Sequence, residues 1–178
     1  MILRVKKKLA GAIDELVIRF LLRPNVIKRF NRQLLERYVI FGEEHLLTIA
    51  QTAIVNNALF NTMSGAITVG EHVFFGHNVT LLTGTHDQTA VGPVRQESIP
   101  QAGRDIAIGE GAWIATNATI IGPARIGEHA VVGAGAVVLG DVDPFTLVVG
   151  VPARPVRRFD SGASLEAAPA LQPRDRVS

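Results

Sequence analysis

Cysteine is absent from all 178 residues, which excludes disulfides, thiolate metal sites and a cysteine nucleophile. No run of 18 consecutive apolar residues occurs, so nothing reads as a membrane span. Neither charge sign dominates: 18 Lys+Arg against 16 Asp+Glu give +2, too even a balance to predict nucleic-acid binding. The basic cluster Arg4, Lys6, Lys7 and Lys8 is followed by Asp14 and Glu15, which interrupt the apolar run a secretory signal needs. A cytoplasmic protein is the resulting expectation.

What the chain does contain is a period. Hydrophobic content of 47% with 19% charged residues is that of one globular domain. From Ile108 to Asp143 the sequence divides into hexads: IGEGAW, IATNAT, IIGPAR, IGEHAV, VGAGAV, VLGDVD. The first place is always Ile or Val (Ile108, Ile114, Ile120, Ile126, Val132, Val138), and the fifth is Ala112, Ala118, Ala124, Ala130, Ala136 or Val142. A fixed hexapeptide period predicts an all-β solenoid, a left-handed parallel β-helix. The fifth place of one hexad and the first of the next are two residues apart and point the same way in extended backbone. Each hexad then makes one face of a triangular prism, and three hexads make one coil. Ala fits the corner, and Gly109, Gly127 and Gly133 are expected at bends because glycine accepts positive φ. A helical reading fails, since the register lacks apolar residues at i, i+3, i+4 and i+7.

The organisation follows. Residues 1–44 predict an N-terminal helical segment, with Val5, Leu9, Ile13, Leu16, Val17 and Phe20 on one stripe ended at Arg23-Pro24-Asn25. A second helix is predicted over Val26 to Arg37, with Phe30 and Leu34 inward. Ten basic against five acidic side chains in residues 1–45 leave two readings open: a cap on the solenoid or a neighbouring subunit, or a peripheral contact with anionic lipid at the inner face of a membrane. The β-helix is expected over 45–159, with irregular early coils. Its repeats are broken by a loop, 87–105, that holds Gly92, Pro93, Pro100 and Gly103; loops this long are usually functional or disordered. Residues 160–178 predict a flexible tail.

The hexads, together with NVTLLTGTHD (Asn78–Asp87), GAWIATNATI (Gly111–Ile120), VVGAGAVV (Val131–Val138) and VVGVPARPVR (Val148–Arg157), resemble the hexapeptide-repeat acyltransferases. Within these the chain looks like the maltose, galactoside and nodulation-type and the colanic-acid-type O-acetyltransferases. The resemblance implies a homotrimer with active sites between adjacent prisms, acetyl-CoA as acyl donor, no metal, and a carbohydrate or glycan-precursor hydroxyl as acceptor. It places His86 as the catalytic base. It places Ala115, Thr116, Gly133, Ala134, Leu139, Gly140, Arg154 and Arg157 along the cofactor, and Asn56 and Ser64 toward the acceptor, Ser64 standing where the family has an Asp. Neutral imidazole suits proton removal near pH 7, and arginines suit phosphates.

Other chemistries remain open at this point. Transfer to an amine of an amino sugar or small molecule would need the same base. A γ-carbonic-anhydrase-like zinc site could use His72 and His77, but His45 lies 27 residues before His72, one and a half coils away and on the wrong face. A non-catalytic solenoid scaffold would bind no acetyl-CoA. Serine acetyltransferases match less well, because their histidine segments and long N-terminal helical domain are not visible.

Overall fold

The computed structural model describes residues 37–160 together with Arg19, Arg23, Pro24 and Val26. The two expected N-terminal helices, apart from those few positions, and the tail beyond Asp160 lie outside the described residues. No helix among the described residues is long and apolar enough to cross a membrane.

Short strands repeat in the order A, B, C around a left-handed parallel β-helix. Face A stacks β1 (Val39–Phe41), β3 (Leu59–Asn61), β6 (Thr80–Leu82), β9 (Thr119–Ile121) and β12 (Val137–Val138). Face B stacks β2 (Leu47–Ile49), β4 (Ile67–Val69), β7 (Ile106–Ile108) and β10 (Ala124–Ile126). Face C stacks β5 (Phe74–Phe75), β8 (Trp113–Ile114), β11 (Val131–Val132) and β13 (Thr146–Val149), and is closed by the antiparallel β14 (Arg154–Arg158). The first coil opens at Val39 rather than at the expected residue 45.

The hexad register is the core register. All six first places and all six fifth places of the Ile108–Asp143 repeats are buried, none more than 7% exposed. Each fully buried aliphatic contributes about 1.5–3 kcal/mol, and stacked coils add cross-strand contacts at roughly 4.8 Å. In the regular region, strands pair eighteen residues apart: Ile106 with Ala124, Trp113 with Val131, Thr119 with Val137.

Departures from eighteen fall almost wholly on one edge. From B to C the chain takes seven residues in each coil, as from Ile67 to Phe74, Ile106 to Trp113 and Ala124 to Val131. From A to B it takes five between Thr119 and Ala124, eight between Val39 and Leu47 and between Leu59 and Ile67, and twenty-six between Thr80 and Ile106. The long excursion includes a short helix, α1 (Gly92–Glu97). Extra chain at a corner leaves the stacked strands undisturbed, which is why the insertions do not break the ladder.

The glycine expectation needs correcting. Left-handed positions at the prism corners include His72, Gly111, His129 and Phe145 on the B–C edge and Asn56, Asn78, Asn117 and Gly135 on the C–A edge, mostly the residue types that tolerate positive φ. Gly109, Gly127 and Gly133 are not among them; they are needed for space. A Cβ on Gly127 would lie 2.3 Å from Pro144 N, and one on Gly109 would lie 2.7 Å from Glu128 N in the next coil. Gly127→Ala is therefore expected to cost about 1–3 kcal/mol by overpacking, whereas Gly140→Ala, with nothing within 4 Å, should leave stability unchanged. Urea unfolding of the two variants checks this.

Candidate active site

The A–B edge carries the excursion, and its stem is tied by polar groups. Asn61 ends β3, and its Oδ1 accepts from the backbone N–H of Met63 (3.0 Å) and of Gly84 (3.1 Å). Thr83 Oγ1 donates to Asn61 O (2.7 Å) and accepts from Ser64 N–H (3.1 Å). Across the stem, Arg104 Nε donates to Thr83 O (2.7 Å) and Asp105 Oδ1 accepts from Ala66 N–H (2.8 Å). Both ends of the loop are thus clipped to the coil below. The loop leaves the prism in a defined direction.

His86 lies just beyond this stem and is exposed. Among the described residues its ring has no hydrogen-bond partner, and it borders a depression of about 270 Å³ with Gly92, Arg95 and Gln96. Arg95 braces the loop beside it: its Nε donates to Ala90 O (2.6 Å) and its Nη2 to Gln88 O (3.3 Å). Asp87 does not orient the imidazole. Its Oδ1 accepts from Thr89 Oγ1 (2.6 Å) and Thr89 N–H (2.8 Å), and these hydrogen bonds hold its carboxyl below the usual range. His86 is left as an unencumbered imidazole on the surface of one protomer.

Within one protomer the two expected acceptor residues do not lie beside it. Asn56 is on the C–A edge with positive φ, and its Nδ2 donates to Phe75 O (2.7 Å), stitching one coil to the next. Ser64 is on the correct edge but fully buried, and its hydroxyl has no hydrogen-bond partner. It lies under the loop stem and presents nothing to a surface groove. Asn61 is the polar residue on the His86 edge that the sequence reading passed over. The available signal was its place at a strand end where the hexads fail.

The expected cofactor residues divide between two edges. Ala115, Thr116, Gly133 and Ala134 follow β8 and β11 and stack in successive coils on the C–A edge. Leu139 and Gly140 follow β12 on the A–B side. With Arg154, Arg157 and Arg158 they line the pocket at the C-terminal end, of about 660 Å³. Asp141 and Asp143 share that pocket, and Arg157 also lies over the Phe159 ring at 5.4 Å. Three guanidinium groups against two carboxylates leave it suited to an anion.

The histidines proposed for zinc do not converge. His72 precedes β5 on the B–C edge and His77 follows it on the C–A edge. Among the described residues no group of three or more His, Cys, Asp or Glu is placed to hold a metal.

Residues 105–140 match the family model described as bacterial transferase hexapeptide (six repeats). A galactoside O-acetyltransferase of Lactococcus lactis is 33% identical over 94 residues, 53% of this chain and 44% of that protein. A serine acetyltransferase of Bacillus subtilis is 35% identical over 104 residues, 58% of this chain and 45% of that one. The chain spans less than half the length of these curated relatives. Over the matched stretches the chain is about as similar to the serine enzyme as to the galactoside enzyme. Among solved structures, a hexapeptide-repeat-containing acetyltransferase of Vibrio cholerae is 25% identical with a TM-score of 0.56, covering 85% of this chain and 91% of that one. That protein has also been solved in complex with acetyl-CoA. In sequence and in fold, then, this chain carries a bacterial transferase hexapeptide module on the left-handed β-helix of the hexapeptide-repeat acetyltransferases.

Proposed function

We propose that the protein is an acetyl-CoA-dependent O-acetyltransferase of carbohydrate or glycan-precursor hydroxyls, working as a homotrimer with His86 as general base. The observation that carries this reading is the division of the expected donor residues between two edges. Thr116, Ala134 and, through its pairing with Val149, Arg154 lie along the C–A edge, while Leu139 and Gly140 follow β12 toward the A–B edge; a thin donor reaches both sets where those two edges of different protomers face each other. His86 stands on the second of them.

The surface supports self-association. The outward row of face B is mostly polar, running Thr48, Thr68, Ala107, Arg125. That of face C is apolar, running Ile54, Phe74, Trp113, Val131, Leu147. Ile54, Phe74 and Trp113 are 59%, 42% and 43% exposed, and the last two stack with ring centroids 5.7 Å apart. Contiguous exposed apolar rows of this kind mark interaction sites.

The chemistry asks little of the protein. His86 takes the acceptor hydroxyl's proton as its oxygen attacks the thioester carbonyl. Backbone N–H groups stabilise the tetrahedral oxyanion. Collapse expels the CoA sulfur, which takes the proton back from the imidazolium. Holding donor and acceptor in one cleft supplies the orientation term.

A test is CoA release from acetyl-CoA with galactosides, maltose, glucosamine and serine as acceptors. Release dependent on a sugar hydroxyl supports the reading. Release with the amine alone shifts the acceptor class, and failure to bind acetyl-CoA at all removes the enzyme reading.

A further inference from the structure

We infer that each reacting cleft holds a second imidazole, His77, supplied by the subunit opposite the one that supplies His86; the inference rests on the trimeric acetyltransferase reading above. The basis is a cluster on the C–A edge that neither the repeat nor the expected cofactor set uses.

His77 has a defined hydrogen-bonding state. Asn78 N–H, a donor by its nature, reaches Asn57 Oδ1 at 2.9 Å, and Asn57 Nδ2 donates to Asn78 Oδ1 at 2.7 Å. The Asn57 side chain is thereby oriented with its oxygen toward His77. His77 Nδ1 lies 3.3 Å from that same oxygen, so in the neutral ring the proton belongs on Nδ1 and Nε2 carries a bare lone pair. The backbone is tied as well, with His77 N–H donating to Thr116 Oγ1 at 3.3 Å. His86, by contrast, has no partner among the described residues of its own protomer to choose its tautomer.

Its place in the stack points the same way. Thr80 pairs with Thr119 and Thr119 with Val137, so His77, Thr116 and Ala134 occupy one column on the C–A edge, one coil apart, with a step of roughly 4.8 Å. A donor whose phosphates meet Arg154 and Arg157 at the C-terminal end, and whose arm passes Ala134 and then Thr116, brings its thioester next to His77.

The height matches that of the base. His77 lies three residues before β6 and His86 four residues after it, at opposite ends of one strand of face A. Within a protomer the width of that face, on the order of 20 Å for six extended residues, keeps the rings apart. Rotation about a three-fold axis parallel to the prisms preserves height. Facing the A–B edge of one protomer with the C–A edge of the next therefore sets His86 and the partner subunit's His77 at one level, on opposite walls. The Nε2 of His77 is then available to accept a hydrogen bond from the acceptor.

The cysteine-free chain makes this testable without knowing the acceptor. In full-length protein, His77→Cys and His86→Cys are made singly and together, and treated with a short bis-maleimide. The double variant is expected to give covalent dimers and trimers on a denaturing gel, and the single variants none. Mixed trimers of the two single variants should give dimers. In His77→Cys alone, acetyl-CoA at ten times its Kd should slow alkylation by iodoacetamide about tenfold, as mass action requires of an occluded thiol. A trimer that binds acetyl-CoA yet shows no intersubunit cross-link, or no protection at position 77, overturns the inference and leaves the function intact. A monomer by light scattering, or absence of acetyl-CoA binding, overturns both.

Discussion

His86→Ala is expected to lower acetyl transfer about 10²–10⁴-fold, the usual contribution of a general base, while acetyl-CoA affinity and the proposed trimer stay as they were. The structure separates these effects because the His86 ring bonds to nothing within its protomer among the described residues. Its removal breaks no packing and leaves no buried group unsatisfied, so the melting temperature should not move. The loop keeps its direction through Asn61, Thr83 and Arg104, which tie the stem without help from the imidazole. Turnover is followed as free thiol from CoA, and a protein without cysteine adds no background. Turnover within a few-fold of the parent would remove His86 from the mechanism.

Trp113→Glu is expected to convert the proposed trimer to monomers and to abolish transfer with it. The Trp113 ring is 43% exposed, stacks on Phe74 and occupies the middle of the apolar row on face C. Aromatic anchors at the centre of an interface cost on the order of 2–4 kcal/mol or more when truncated, and a carboxylate buried there without a partner adds a desolvation penalty. The protomer should survive, because the side chain points outward while Ile114 beside it, 0% exposed, holds the core. Sedimentation velocity and the CoA-release assay read the two effects. A trimer with full activity would show that face C is not the contact. Loss of assembly with activity retained would place the whole site within one protomer.

The relation between the two predictions lies in the geometry of the prism. A single protomer offers an imidazole on one edge and a row of small residues on another, and neither is enclosed. In the proposed trimer association closes both at once, so Trp113→Glu should reach assembly and catalysis together, whereas His86→Ala should reach catalysis alone.

Much of this is legible along the chain. A six-residue period is a local property, and in a solenoid local direction decides burial. The twelve repeat positions named from Ile108 to Val142 are accordingly the ones found inside, and the loop appears where the hexads stop. The exposed position of His86 at the start of that loop follows from the same count.

What a period cannot encode is which edge a residue reaches, since that depends on the accumulated number of residues between strands. The eight-residue and twenty-six-residue A-to-B steps all load one edge, and only stacking them in register reveals it. Burial beneath an insertion is likewise non-local: Ser64 is covered by chain that follows it by some twenty to forty residues, at Thr83 and Arg104. Asn56 and Asn61 look alike in sequence, yet the first spends its amide on Phe75 O and the second anchors the loop stem. Gly127 reads as a bend residue until Pro144 of the next coil occupies the space its Cβ would need. The prism and its lining can be read along the chain, because they depend on neighbours two and six residues away; the edges emerge only on folding, because an edge is a meeting of residues about twenty or forty apart.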